Sequence, residues 1–516
     1  MNMPRTAWFL VTFLSAFIGC RGSDSKTDES DTASTDDGHI PPSVTCELSS
    51  GSTYHVSPEG DDNGQGTNAD PWRTVGTGVS SLSAGDTLYL GAGVYREAMV
   101  LTTSGTAEAP IMIASEPGGD QAVIDGDGIE LDEDGLISIV GASYLKLCSL
   151  TVLNSQNHGV SIQDDDEGTI PVGTSIVGLT VLNAGNAGIY AEDVDTIVIE
   201  NNYTKETLTS GIGVWYSNNA AVLNNEVVNA RNDDENGHEE WISMASVCDF
   251  EVANNELYMK DADFGGHTGI DAKESSCRGT IHHNHLHDFP GYGGQIYLDA
   301  WEAGSNGTDT LHDIDIFANR LDTAGGITIG SEQGGTVENI RVFNNVIYNP
   351  WSAGIEVSDL EGEGGSFAFK QNIHIFNNTI WKSRNHGTSA IYLFSTNAEN
   401  ITVQNNLIVM DPDYVVGLIT AATEEAVPPV TVDHNLVFGP TECSDDYPDC
   451  IDLSAAEGNW TADPLLVDGP GRDLQLQADS PAIDQGIAID GLTEDFEGNP
   501  RPSGGGVDIG AFEFQP

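Results

Sequence analysis

The segments IVIENN (residues 197–202), AVLNN (221–225), FEVANN (250–255) and IHHN (281–284) share one pattern: a short apolar–polar alternation closed by asparagine. The pattern continues through IDIFAN (314–319), IRVFNN (340–345), IHIFNN (373–378), ITVQNN (401–406) and VTVDHN (430–435). The closing residues are Asn202, Asn225, Asn255, Asn284, Asn319, Asn345, Asn378, Asn406 and Asn435, spaced by 23 to 35 residues. Alternation over a few residues is the period of a strand. A unit this short cannot bury its apolar face alone, so its repetition means stacked coils. Asparagine suits the closing turn, because it tolerates a left-handed backbone and can bond to its counterpart in the next coil. The expectation is all-β: a right-handed parallel β-helix. A β-sandwich or propeller with irregular repeats is the alternative, and the recurring asparagine weighs against it.

A second strand recurs in each coil, usually glycine before an apolar residue: GIYAE from Gly188, GIGVW from Gly211, WISMA from Trp241, GIDAK from Gly269. QIYLD from Gln295, GITIG from Gly326, GIEVS from Gly354 and AIYLF from Ala390 follow. Side chains alternate along a strand, so the second and fourth positions point into the coil and the third and fifth point out. Cys248 and Cys277 occupy equivalent places in consecutive coils. Neighbouring strands sit roughly 4.8 Å apart, within disulfide reach, which supports the register.

The ends differ from the middle. Residues 1–19 carry Arg5 and an apolar run, too short to span a membrane and typical of an export signal. The run Phe17-Ile18-Gly19-Cys20 resembles a bacterial lipobox, which implies lipid attachment at Cys20; cleavage without lipid is the alternative. Residues 20–45, rich in Ser, Thr and Asp, read as an acidic tether. Residues 46–440 would form the capped β-helix and 441–516 a small C-terminal module. Cys443 and Cys450 bracket an Asp-rich loop and suggest a local disulfide, since export implies an oxidising compartment. Cys46 and Cys148 are left without an assigned pairing.

The chain of 516 residues has 80 Asp and Glu against 18 Lys and Arg, a net charge of −62. That excludes a nucleic-acid binder and a polybasic membrane-surface protein, both of which need a cationic face. Contact with a membrane is expected only through the N-terminal lipid. Both ends of the coil stack look covered, which suits a monomer.

Residues 54–97, with YHVSPEGDDNGQGT, DPWRTV, AGDTLYL and GAGVYRE, resemble the N-terminal cap of secreted right-handed β-helix proteins, polysaccharide lyases among them. DPLLVD, GRDLQLQADSPAIDQG, DFEGNPRP and DIGAFEF, between residues 463 and 514, resemble the end module that often follows such helices in surface proteins. GIDAKESSC (269–277) resembles the Lys-bearing coil of the chondroitinase B and alginate lyase family, in which the lysine is the base. The resemblance implies that role for Lys273. That family carries an Arg in the next coil, where this chain has Asp299.

The outward positions build a groove. Tyr190, Trp215, Trp301 and Tyr392 offer aromatic faces on which sugars could stack, and the coils between them concentrate charge. Lys273 stands among Asp271, Asp299 and Tyr297, with His267 nearby. A positioned lysine can remove the proton alpha to a uronate carboxylate, with Tyr297 or His267 as proton donor. Neighbouring carboxylates oppose that role by favouring the ammonium, and a plain salt bridge is the competing reading. Asp271, Asp299, Glu302, Glu332 and Glu356 suit Ca²⁺, which would neutralise the substrate carboxylate. Alternatively, Asp271 and Asp299, roughly 8 Å apart on adjacent strands, form a glycosidase pair. A solvated acidic face is the third reading. HHNHLHD (282–288) is tempting as a transition-metal site, but alternation and the turn at Asn284 should scatter its rings. The loop with Asp61, Asp62 and Asn63 could hold Ca²⁺ or be a solvated cap.

Three functions follow. The first is a polysaccharide lyase acting on a uronate polymer, with Lys273 at its centre. The second is a glycoside hydrolase using an Asp/Glu pair. The third is a non-catalytic glycan-binding surface protein.

Overall fold

A typical coil carries three strands of three to eight residues, with a connection of variable length after the first and a tight turn after the second. Like strands of successive coils pair in parallel, which yields sheets of 11, 14 and 14 strands. The coil around Lys273 is representative. Ile270–Lys273 lies in the 11-stranded sheet, here termed the groove sheet, Cys277–His282 in the second sheet and His285–His287 in the third. The computed structural model describes residues 46, 49–230, 240–260, 268–289, 295–301, 310–351, 353–358, 368–383, 390–395, 397–410, 430–439 and 458–516. The export signal, Cys20, the tether, His267, Glu302, Cys443 and Cys450 lie outside these residues. For Trp301 and Glu332 only the backbone belongs to them.

The chain is a right-handed parallel β-helix. Inward positions are Ile, Val, Leu, Ala and Met, and Ile242, Met244, Ile270, Ala272, Ile296 and Leu298 are fully buried in one continuous core. Each coil lends its apolar face to the next, which is why so short a repeat can fold.

Asparagine meets one half of the expectation and departs from the other. The left-handed residue is the one before the closing asparagine: Asn201, Asn224, Asn254, His283, Ala318, Asn344, Asn377, Asn405 and His434 have φ between 51° and 56°. The closing asparagine bonds to its counterpart in the next coil, as expected, and does so in a buried ladder. Asn255 Oδ1 accepts from the backbone N–H and Nδ2 of Asn225 at 2.9 and 3.0 Å. Asn255 Nδ2 donates to Val222 O and to Asn284 Oδ1, both at 2.9 Å. The ladder runs from Asn202 to Asn459, one rung beyond the sequence pattern. It satisfies the polar groups that a sharp turn inside a packed core would otherwise strand.

Cys248 and Cys277 form the disulfide expected from their register, and Cys46 pairs with Cys148. At the N-terminal end the helix Val75–Ser80 buries Val75 and Val79, and the Thr74 side chain caps it by accepting from Thr77 N. At the other end Trp460–Thr461 adds the last strand of the third sheet, and the residues that follow pack along its outer side. Leu474, Ile509 and Phe512 cover Val346, Trp381, Leu407 and Leu436. Arg501, fully buried there, donates to Glu513 Oε2 at 3.1 Å and to the carbonyls of Asp508 and Gly510.

Candidate functional site on the groove sheet

The strand Ile270–Lys273 turns Ile270 and Ala272 inward, which leaves Asp271 and Lys273 facing out. Pairing fixes their neighbours. Ser243, Asp271, Tyr297, Thr328, Glu356 and Tyr392 form one row across the coils, and Ala245, Lys273, Asp299 and Gly330 form the row beside it. Asp299 is therefore the in-register neighbour of Lys273 and lies diagonal to Asp271, as the repeat spacing implies. Small residues at positions 243, 245 and 330 leave room around the charges.

The Lys273 ammonium lies 2.8 Å from Glu240 Oε2 and 3.7 Å from Asp271 Oδ2. It also lies 5.4 Å from the centre of the Trp215 ring, a cation–π distance. Trp215 Nε1 donates to Ser243 Oγ at 3.3 Å. Asp271, Lys273 and Asp299 are 1%, 8% and 4% exposed, so this is no solvated acidic face. Burial, reinforced by the charge of Glu240, pushes the Asp271 carboxyl well above the usual carboxylate range, and Lys273 opposes that shift. Asp271 Oδ1 is buried and has no hydrogen-bond partner among the described residues.

Aromatic rings line the approach from the N-terminal side. His158 stacks on Tyr190 with centres 4.4 Å apart, and Tyr190 meets Trp215 edge-on at 5.7 Å. Tyr190 Oη donates to Glu192 Oε2 at 3.2 Å. Burial pushes the His158 imidazole down to about 4, so it is neutral near pH 7.

The structure thus gathers Lys273, Asp271, Asp299 and Tyr297, with Trp215 beside them and Tyr190 one strand further. Glu356 stands in the same row beyond Thr328, its carboxyl raised by burial, and Tyr392 follows it. These two are not part of the Lys273 cluster. Two contributors escape the sequence pattern. Glu240 is legible as an acid just beside the sheet, but it precedes its strand, so alternation assigns it no face and no contact with Lys273. His158 sits in a coil that lacks the charged motif. The cap-loop acids are occupied by their own fold: Asp61 accepts from Asn63, and Asp62 from Arg73 and Thr74.

A family model described as "Pel9A-like, right handed beta helix region" matches residues 54–240. Pectate lyase PEL9 of Emericella nidulans is 32% identical over 123 residues, which cover 21% of this chain and 30% of that protein. The match therefore spans less than a third of that relative's length. The uncharacterized protein YwoF of Bacillus subtilis is 25% identical over 469 residues, covering 84% of this chain and 93% of that one. The crystal structure of pectate lyase Pel9A superposes with a TM-score of 0.44 at 12% identity, over 90% of this chain and 97% of that one.

Proposed function

We propose that this right-handed β-helix, which resembles polysaccharide lyases, cleaves a uronate-containing polysaccharide by β-elimination along its groove sheet. The observation that carries the reading is Lys273: a lysine held in place by Glu240 and Asp271 on an outward strand, beside an aromatic approach. The neutral Lys273 amine would take the proton on C5, alpha to the uronate carboxylate. The C5–H electron pair forms the C4–C5 double bond, and the C4–O bond breaks. The departing oxygen takes a proton from the Tyr297 hydroxyl or from water. Trp215 and Tyr190 would stack on sugar rings and hold the chain in register.

The carboxylates around Lys273 favour its ammonium and repel an anionic substrate. Two acids pair with one lysine here, a third is its in-register neighbour, and a buried Asp271 oxygen lacks a partner among the described residues. Oxygen donors of this kind fit a hard cation, and Asp271 and Asp299 would hold Ca²⁺. Bound there, the ion supplies positive charge toward the substrate carboxylate. The reading carries with it export, an N-terminal lipid at Cys20, and a monomeric body.

One observation favours a second reading. A raised Asp271 carboxyl is what a general acid needs, and Asp299 could serve as the base of a hydrolase. One experiment separates them. The purified protein is given polyuronates and neutral glycans with and without Ca²⁺, and the ultraviolet absorbance of unsaturated uronate is followed together with new reducing ends. A parallel rise in both supports the lyase. Reducing ends without absorbance refute it in favour of the hydrolase. Neither signal across the panel leaves a glycan-binding protein.

A further inference from the structure

The sequence HHNHLHD divides at its turn, but not as alternation suggested. His282 and His283 lie on one side of Asn284. His285 and His287, two residues apart on the strand His285–His287, project from the same face of the third sheet while Leu286 enters the core. Their rings stack with centres 4.3 Å apart. Glu256 is the in-register neighbour of His285 on the preceding coil.

We propose that Glu256, His285 and His287 bind a divalent first-row transition ion, with Zn²⁺ as the ion the donors suit. His287 Nε2 lies 3.0 Å and His285 Nδ1 4.0 Å from Glu256 Oε1, and all three ligand atoms fall within 4.8 Å of one another. Tetrahedral zinc with bonds of about 2.0–2.1 Å needs ligand atoms roughly 3.3 Å apart. The observed separations bracket that value. All three side chains are partly exposed, and the wider gaps would have to close by roughly an ångström. Two imidazoles and one carboxylate select a zinc-type ion over Ca²⁺ or Mg²⁺, which take oxygen sets.

The groups behind the ligands make the second observation. His287 Nδ1 faces Asp288 Oδ2 at 2.9 Å, and His285 Nε2 faces Asp322 Oδ2 at 3.2 Å. Each ring thus has a carboxylate on the nitrogen turned away from Glu256. Metal-binding histidines are characteristically held this way, because the outer carboxylate fixes the tautomer and aims the free lone pair. Asp322, almost fully buried, is anchored by Arg320 Nε at 2.8 Å and Arg472 Nη1 at 3.3 Å. Those contacts also draw the two guanidinium groups onto Asp322. Tyr258 stacks flat on His287 at 4.9 Å and locks the ring further. His287 Nε2 and Glu256 Oε1 already face each other at 3.0 Å, and the ion would sit between them and His285. Three protein ligands leave a fourth position for water or a substrate atom. The site lies on the third sheet and does not depend on the groove chemistry.

The test uses untagged, chelator-treated protein. Calorimetric titration with Zn²⁺ should show one equivalent bound with micromolar or tighter affinity, and Co²⁺ should give the intense visible bands of a four-coordinate site. His285→Ala and His287→Ala should each weaken binding at least about 100-fold and abolish the cobalt spectrum, with the melting curve of the metal-free protein preserved. Asp288→Asn should weaken binding about 10-fold through ring orientation. His283→Ala should leave it unchanged. Absence of stoichiometric binding overturns the proposal, as does binding that survives both ligand substitutions or follows His283.

Discussion

Replacing Asn284 by alanine removes one rung from the middle of the buried ladder, and the cost can be counted. Asn284 Oδ1 accepts from Asn255 N and Asn255 Nδ2, both at 2.9 Å, and Asn284 Nδ2 donates to Val252 O at 2.9 Å and Asn319 Oδ1 at 3.0 Å. All four bonds vanish. Asn255 Nδ2 keeps Val222 O, and Asn319 Oδ1 keeps the Asn284 backbone N–H. At about 1 kcal/mol net per buried hydrogen bond the loss is about 4 kcal/mol, and a donor stranded away from water pushes it upward. Asn459→Ala is the control. It also deletes bonds, two from Asn435 and one to Val432 O, but Asn459 is half-buried at the ladder's end. Water can replace them, so about 1 kcal/mol is expected there. A solenoid need not unfold in one step, so a single melting point is a poor reporter. Amide hydrogen exchange read strand by strand is the suitable assay. Protection of Cys248–Ala253 and Cys277–His282 should drop by about 4 kcal/mol in Asn284→Ala, with the first coils little affected. Equal small losses in both variants would show that the ladder's interior is open to water and that the count is wrong.

Lys273→Met should lower the rate of β-elimination roughly 10²–10⁴-fold, the usual share of a positioned base. It also strands buried acid, so Lys273→Met with Asp271→Asn should recover much of the lost stability without recovering activity; unsaturated product formed at the original rate would remove Lys273 from the mechanism. His158 supplies a pH test. Its folded value of about 4 lies below the usual 6.5 of an imidazole, so the unfolded chain takes up a proton that the folded one refuses as pH falls below 6.5. The cost reaches about 3 kcal/mol once pH is below about 4. Denaturation of wild type and His158→Phe at pH 7 and 4.5 should therefore show the smaller acid loss in the variant, and equal losses would mean that His158 is hydrated and titrates normally.

The architecture was legible because a parallel β-helix repeats its physics. Every coil must present the same alternation and the same closing turn, so nine weak signals coincide on one answer, and the register they imply places Asp299 beside Lys273 without any coordinates. The turn itself was legible only in outline. Either asparagine of an Asn-Asn pair could take the left-handed backbone, and composition does not say which one enters the core. His283, Ala318 and His434 settle it, since they occupy the left-handed position where the pair is incomplete. Long-range closure was not legible: Cys46 and Cys148 are 102 residues apart, and no repeat relates them. The candidate site was read as residues on a strand, which found Asp271, Lys273, Tyr297 and Asp299. Glu240 comes from a turn, where side-chain direction is free of the strand period.

The same limit hides the histidine cluster from a reading along the chain. Alternation separates neighbours but unites residues two apart, so HLH is the spacing that puts two rings on one face of a strand. The turn at Asn284 divides the four histidines into two pairs, and each pair stays together. Asp288 belongs to the motif, but the other partners do not: Glu256 belongs to the preceding coil, Asp322 to the following one. A site in a solenoid is therefore written across the repeat, in columns one coil apart, and reading the chain along its length recovers only one rung of each column. One coil, residues 268–289, carries Lys273 on the groove sheet, the Asn284 rung, and both histidines on the third sheet. Loosening that rung should disturb proton abstraction and metal affinity together, whereas ligand substitutions on one sheet should leave the other untouched.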